Sequence, residues 1–170
     1  MIEGKNVYAI IPARGGSKGI PKKNIINFDG LPLIGHSILY AKKSNLIDKI
    51  FVSTDCDEVI NISYPYDVSI IKRPKNISQD SSSTELTIKH VIESQNIDSN
   101  AIIILLQPTS PIRPKGILDK MLESFIENNY DSMVSISPCH PLNWKIISNK
   151  LTCQYNYKDR PMRQEFKKDD

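Results

Sequence analysis

Val7-Tyr8-Ala9-Ile10-Ile11 is a short, continuously apolar run closed by Pro12, the pattern of a strand buried on both faces, and Lys49 to Thr54 repeats it. Between them Ile38, Leu39, Ala41 and Leu46 recur at helical spacing and predict an amphipathic helix over 36–46. The alternation continues. Asp55 is placed to cap a helix running through Ile62, Val68 to Ile71 reads as a strand, and Thr84 to Ser94 reads as a helix with Leu86, Ile88, Val91 and Ile92 inward. Ala101 to Leu106 is the strongest buried-strand pattern, Gly116 to Asn128 has an apolar helical face, and Ser132-Met133-Val134-Ser135-Ile136 reads as a further strand. Strands and helices in this order imply an α/β fold: three layers, Rossmann-like, with a mainly parallel sheet and helices on both faces. Past Pro138 the pattern weakens, and it places no element there.

Composition narrows the function classes. The chain has 170 residues, 39% of them hydrophobic, enough for one domain with a real core over 1–170. A charged fraction of 24% and a net charge of +3, with no basic run or face, argue against a nucleic-acid partner. Cys56, Cys139 and Cys153 are odd in number and widely spaced, with no CxxC pair, which disfavours a disulfide framework or structural zinc. No apolar stretch approaches the roughly 20 residues needed to span a bilayer, so the expectation is a cytoplasmic, soluble protein without a membrane partner.

The candidate chemistry sits after the predicted strands, where doubly wound folds bind their ligands. Pro12 to Asn24 gathers three glycines, one arginine and three lysines into one strand-to-helix connection. Glycines let backbone N–H groups converge on an anion, and arginine and lysine neutralise phosphate charge, so the loop reads as a triphosphate cradle. The competing reading is a solvated glycine-rich turn with incidental lysines. The loop is neither GxxxxGK[ST] nor GxGxxG, which disfavours P-loop hydrolysis and hydride transfer.

Ile11-Pro12-Ala13-Arg14-Gly15-Gly16-Ser17-Lys18-Gly19-Ile20-Pro21-Lys22-Lys23-Asn24 resembles the signature loop of the acylneuraminate cytidylyltransferases, also called CMP-sialic acid synthetases. The resemblance continues in order through Phe51-Val52-Ser53-Thr54-Asp55, Lys72-Arg73-Pro74 with Ser81-Ser82-Ser83-Thr84, and Leu105-Leu106-Gln107-Pro108-Thr109-Ser110-Pro111-Ile112-Arg113. It implies a sheet of the nucleotide-diphospho-sugar transferase type and a reaction in which CTP and a sialic-acid-like nonulosonic acid give the CMP-sugar and pyrophosphate. Arg14 and Lys23 would carry the catalytic charge stabilisation. Arg14, Gly15, Gly16, Ser17, Lys23, Asn24, Arg73, Ser82 and Ser83 would bind CTP, with Arg73 and a serine of the Ser81 to Thr84 run reading cytosine. Gln107, Thr109 and Arg163 would hold the acid sugar.

Each assignment has a plainer competitor. The serine run also suits a helix cap, Asp55 is as well placed to cap as to meet metal or ribose, and Lys18 and Lys22 are as readily solvated as bound. Thr109 and Ser110 suit a rigid turn between prolines, and Arg113 is undecided between an anion and a surface acid. His140 reads as structural or interfacial.

The resemblance also implies Mg2+ (or Mn2+) as cofactor and a homodimer, with about 138–170 as the candidate dimerisation or sugar-binding excursion. The magnesium-coordinating aspartates of the family follow a later segment that these 170 residues do not contain, so no metal ligand is expected in this chain and the domain is expected to be C-terminally incomplete. Alternatives are a non-catalytic CTP-binding remnant, a synthetase for legionaminic acid, pseudaminic acid or Kdo, and a pyrophosphorylase for another base, which would differ at Arg73 and the serine run.

Overall fold

The computed structural model describes residues 2–17, 19–136, 144–148 and 150–153 and divides into two units, Met1–Tyr130 and Asp131–Asp170. In the first unit, β1 (Val7–Pro12) leads through the two-residue strands β2 (Asn27–Phe28) and β3 (Leu31–Pro32), an antiparallel pair, into α1 (Leu33–Lys42). Next come β4 (Lys49–Thr54), α2 (Asp57–Ser63), β5 (Ser69–Lys72), α3 (Thr84–Ser94), β6 (Ile102–Leu105) and α4 (Ile117–Glu127).

The sheet runs β5-β4-β1-β6 and all its pairings are parallel, the architecture that the alternating pattern implied. Side chains alternate across it, which is why uninterrupted apolar runs are needed. Ala9 and Ile11 of β1 and Ile50 and Val52 of β4 pack with Ile34, Ile38 and Ala41 of α1 and Val59 of α2. Ile10, Phe51 and Ile71 face the other way and pack with Val91 of α3. The core therefore lies on both faces of β1, whose Val7, Ala9, Ile10 and Ile11 have no exposure to solvent.

Three boundaries depart from the pattern. α1 begins at Leu33 behind Pro32 and stops at Lys42, because Asp119 of α4 accepts hydrogen bonds from the Ser44 hydroxyl and the Asn45 N–H just beyond that end. Asp55 does not cap α2: the cap position is Cys56, and the Asp55 carboxylate turns to the Gly15 N–H instead. Ser132 to Ile136 forms no strand, and Val134 and Ile136 are 78% and 90% exposed. Apolar, β-branched residues favour a ladder only where a neighbour accepts their N–H and C=O groups, and none among the described residues pairs with this segment. In the second unit the structure adds a hairpin that the sequence pattern does not place, β7 (Trp144–Ile147) and β8 (Lys150–Cys153), with Ile146 opposite Leu151.

The chain moves from β1 to β4 and β5 on one side, then returns to place β6 on the other side of β1. That reversal is the switch point of a doubly wound sheet, where a crevice opens beyond the strands' carboxyl ends. Ile10 lies opposite Leu105, so the loops leaving β1 and β6 start side by side at it. Among the described residues no helix is long and apolar enough to cross a membrane.

Candidate functional site

The loop after β1 is tied down at its base. Ala13 N–H donates to the Ser53 carbonyl at 2.9 Å, extending the β1–β4 ladder by one step, and Gly15 N–H donates to Asp55 Oδ1 at 3.0 Å. Asn24 is buried and its amide donates to the Arg14 carbonyl at 2.9 Å, so it closes the loop on itself. Lys22 takes a left-handed backbone at φ 53° and opens the 3-10 turn Lys23–Ile25. Gly15 is required by packing: a Cβ there would lie 2.8 Å from Cys56 Cβ and 3.1 Å from its Sγ. Gly16, by contrast, faces open space.

The loop's cations differ in their partners. Arg14 Nη1 is 2.6 Å from Asp80 Oδ1, on the loop before α3, and Lys22 Nζ is 2.6 Å from Glu58 Oε1. Glu58 raises the Lys22 pKa through that hydrogen bond and its charge. Lys23 is half-buried and makes no ion pair among the described residues, which leaves it available to an incoming anion.

Arg73 follows β5 and is 6% exposed. Its Nη1 donates to Thr87 Oγ1 and its Nη2 to the Ser53 carbonyl, both at 2.9 Å. Arg73 Nε and Ser53 Oγ are buried without a partner among the described residues. Burial pushes the guanidinium pKa down, with the Asp55 charge opposing the shift. Two of the three nitrogens are thus spent on the fold, and Nε keeps an unmet donor. Ser83 is the N-cap of α3, accepting from Leu86 N–H at 3.4 Å, while Ser82 Oγ accepts from Gln79 N–H at 3.1 Å.

Across the switch point, Gln107 and Thr109 are exposed and Pro108 is buried. The Gln107 side chain has no hydrogen bond among the described residues, but the residue's backbone carbonyl is held by Ser110 N–H at 3.2 Å and Arg113 Nη2 at 2.7 Å. Arg113 pairs with no acid among the described residues; it turns inward onto Ser37 and the Gln107 backbone carbonyl. Burial lowers its pKa, opposed by Tyr40.

The fold thus gathers the segments holding Arg14, Gly15, Gly16, Ser17, Lys23 and Asn24, then Arg73 with Ser82 and Ser83, then Gln107 and Thr109, after neighbouring strands of one sheet edge. Lys18, His140 and Arg163 lie outside the described residues. Sequence reasoning missed Asp80, Ser37 and Tyr40; only Ser37 had a signal, as a polar residue on the apolar face of a helix. No group of three His, Cys, Asp or Glu residues that could hold a metal ion occurs among the described residues. The chemistry this arrangement offers is binding of an anion beside the loop's cations, with the Gln107 amide, unbonded among the described residues, one strand away.

The sequence matches the cytidylyltransferase family over residues 8–158. It is 35% identical to N-acylneuraminate cytidylyltransferase A of Danio rerio over 95% of this chain and 38% of that protein. With pseudaminic acid cytidylyltransferase of Campylobacter jejuni it shares 42% identity over 70% of this chain and 53% of that protein. The chain thus spans between about two fifths and about half the length of these relatives. Among solved structures, CMP:2-keto-3-deoxy-manno-octonic acid synthetase complexed with CTP has a like fold, with a TM-score of 0.62 and 22% identity over 74% of this chain and 49% of that one. A family match that begins inside β1 and runs past the β7–β8 hairpin, on a parallel sheet whose loops meet at one switch point, makes this chain a member of the cytidylyltransferase family.

Proposed function

We propose that the chain is the nucleotide-binding part of an enzyme that activates a sialic-acid-like nonulosonic acid, converting CTP and the free acid sugar to CMP-sugar and pyrophosphate. The observation that carries this reading is the pairing of β1 with β6, which starts the glycine and cation loop beside the Gln107 loop at one edge. Nucleotide and sugar would meet there. In the reaction the anomeric oxygen bonds to the α-phosphorus, the bridge to the β-phosphate breaks, the hydroxyl proton passes to solvent, and pyrophosphate leaves with the charge that must be stabilised. Arg14, Lys23 and the Gly16 amide would take that charge, while Gly15 and Ser17, whose N–H groups donate to Asp55 and to the Gly15 carbonyl, would shape the loop around the CTP phosphates, with the Asn24–Arg14 hydrogen bond closing it. Arg73, Ser82 and Ser83 would face the cytosine and Asn24 the nucleoside, while Gln107 and Thr109, with Arg163, would hold the sugar.

Magnesium is part of the proposal as the ion accompanying CTP, where it would shield the phosphates. Among the described residues no group of three His, Cys, Asp or Glu side chains could surround it, and Asp55 at this edge accepts from Gly15 N–H through Oδ1. A homodimer working in the cytoplasm completes the proposal, supported only by the resemblance.

The test is pyrophosphate release from CTP and Mg2+ with N-acetylneuraminic, legionaminic and pseudaminic acids and Kdo, beside ATP, GTP and UTP. Release that needs both CTP and one acid sugar supports the proposal. CTP binding without release with any sugar supports a binding remnant, and release with another nucleotide sinks the cytidine assignment.

A further inference from the structure

Arg113 lies six residues beyond Gln107, at the far end of a loop with Pro108 and Pro111 inside it and Pro114 after it. Its guanidinium folds back over that loop. Nη2 donates to the Gln107 carbonyl at 2.7 Å and Nη1 to Ser37 Oγ at 3.1 Å, while the group lies 5.3 Å from the centre of the Tyr40 ring. Ser37, fully buried on α1, also donates to the Gln107 carbonyl, at 3.5 Å, and the Tyr40 hydroxyl donates to the Pro114 carbonyl at 3.3 Å. One backbone carbonyl thus collects Ser110 N–H, a guanidinium and a helix hydroxyl.

We infer that Arg113 is a positioning residue that clamps the loop from Gln107 to Arg113 onto α1 and so fixes where the Gln107 side chain stands against the acid sugar. Hydrogen bonds from an ionised donor are about twice as strong as neutral ones, and guanidinium geometry suits two acceptors at once. The stem of Gln107 then starts from a fixed point. Its amide has no hydrogen-bond partner among the described residues, which suits a group reserved for ligand. The inference rests on the proposed reading of Gln107 as a sugar contact.

The experiment compares the wild-type chain with Arg113→Ala and Arg113→Lys, after thermal melting confirms that each is folded. Hydrogen exchange of the peptide over 106–113 is read first, then KM for CTP and for N-acetylneuraminic acid, or for pseudaminic acid if only that is turned over. Arg113→Ala is expected to speed exchange in that peptide and to raise the sugar KM roughly tenfold, with the CTP KM changed by less than about twofold. Arg113→Lys, which keeps the charge but not the two-pronged geometry, is expected to restore part of both. Unchanged exchange overturns the clamp. Faster exchange with an unchanged sugar KM, or equal rises in both KM values, overturns the positioning role. A wild-type chain that binds CTP but turns over no acid sugar sinks the proposed function and the sugar half of this inference with it, while exchange still decides the clamp.

Discussion

Gly15→Ala is expected to damage nucleotide binding where Gly16→Ala does not, although the two glycines are adjacent. The added methyl at 15 would lie 2.8 Å from Cys56 Cβ and 3.1 Å from Sγ, whereas at 16 it meets nothing within 4 Å. Carbon atoms settle at about 3.5–4.0 Å, so one side must move by roughly an ångström. Cys56 resists, because it opens α2 and its N–H is held by Thr54 Oγ1 at 3.1 Å. The loop therefore moves, and the Gly15–Asp55 hydrogen bond at 3.0 Å stretches out of range. Overpacking of this kind costs about 1–3 kcal/mol. Taken from the bound geometry of the loop, that raises the CTP Kd roughly 5- to 150-fold. Isothermal titration with CTP on Gly15→Ala, Gly16→Ala and the double variant Gly15→Ala with Cys56→Gly reads it directly. The double variant removes both clashing atoms and is expected to recover most of the affinity. Equal losses for the two single variants, or no recovery in the double, would refute the packing argument.

The same geometry sets other expectations. Arg73→Ala removes two buried hydrogen bonds and strands the Thr87 hydroxyl, so urea melting should show a loss of about 2–4 kcal/mol even without nucleotide; unchanged stability would mean that Arg73 matters only to ligand. Asp80→Asn frees Arg14 from a partly exposed ion pair and should tighten CTP binding by up to about fivefold at low salt, the gain fading as salt rises. Ser83→Ala should cost about 1 kcal/mol by uncapping α3. Its effect should depend on pH: the Glu85 carboxyl is held below its usual range by its own backbone N–H first and by the Ser83 hydroxyl second. The stability this contributes is present above the ordinary glutamate pKa and is lost as pH falls through the lowered one, so the gap between wild type and Ser83→Ala should narrow in acid. A constant gap across an acid titration would remove Glu85 from the account.

Much of the fold is legible in local pattern because its parallel strands are buried on both faces, which demands uninterrupted runs such as Val7 to Ile11, and because helices such as Thr84 to Ser94 carry their own cap and apolar stripe. The family motifs likewise sit in contiguous stretches after those strands, and the loop chemistry of Arg14 to Asn24 depends on residue types that composition displays. Partner choice is different, because it depends on which segments the sheet brings together. That Asp55 holds Gly15 rather than a helix end, that Arg73 spends two nitrogens on the core, that Arg14 meets Asp80 and that Arg113 turns inward onto α1 all join residues far apart in the chain. Ser132 to Ile136 makes the same point in reverse: its apolar pattern favours a strand, and only a neighbour supplying hydrogen-bond partners could have made it one. The sequence by itself determined the layers, the order of elements and the edge where the chemistry collects; tertiary structure decided which side chains remain free there, since a polar group's availability depends on its neighbours in space.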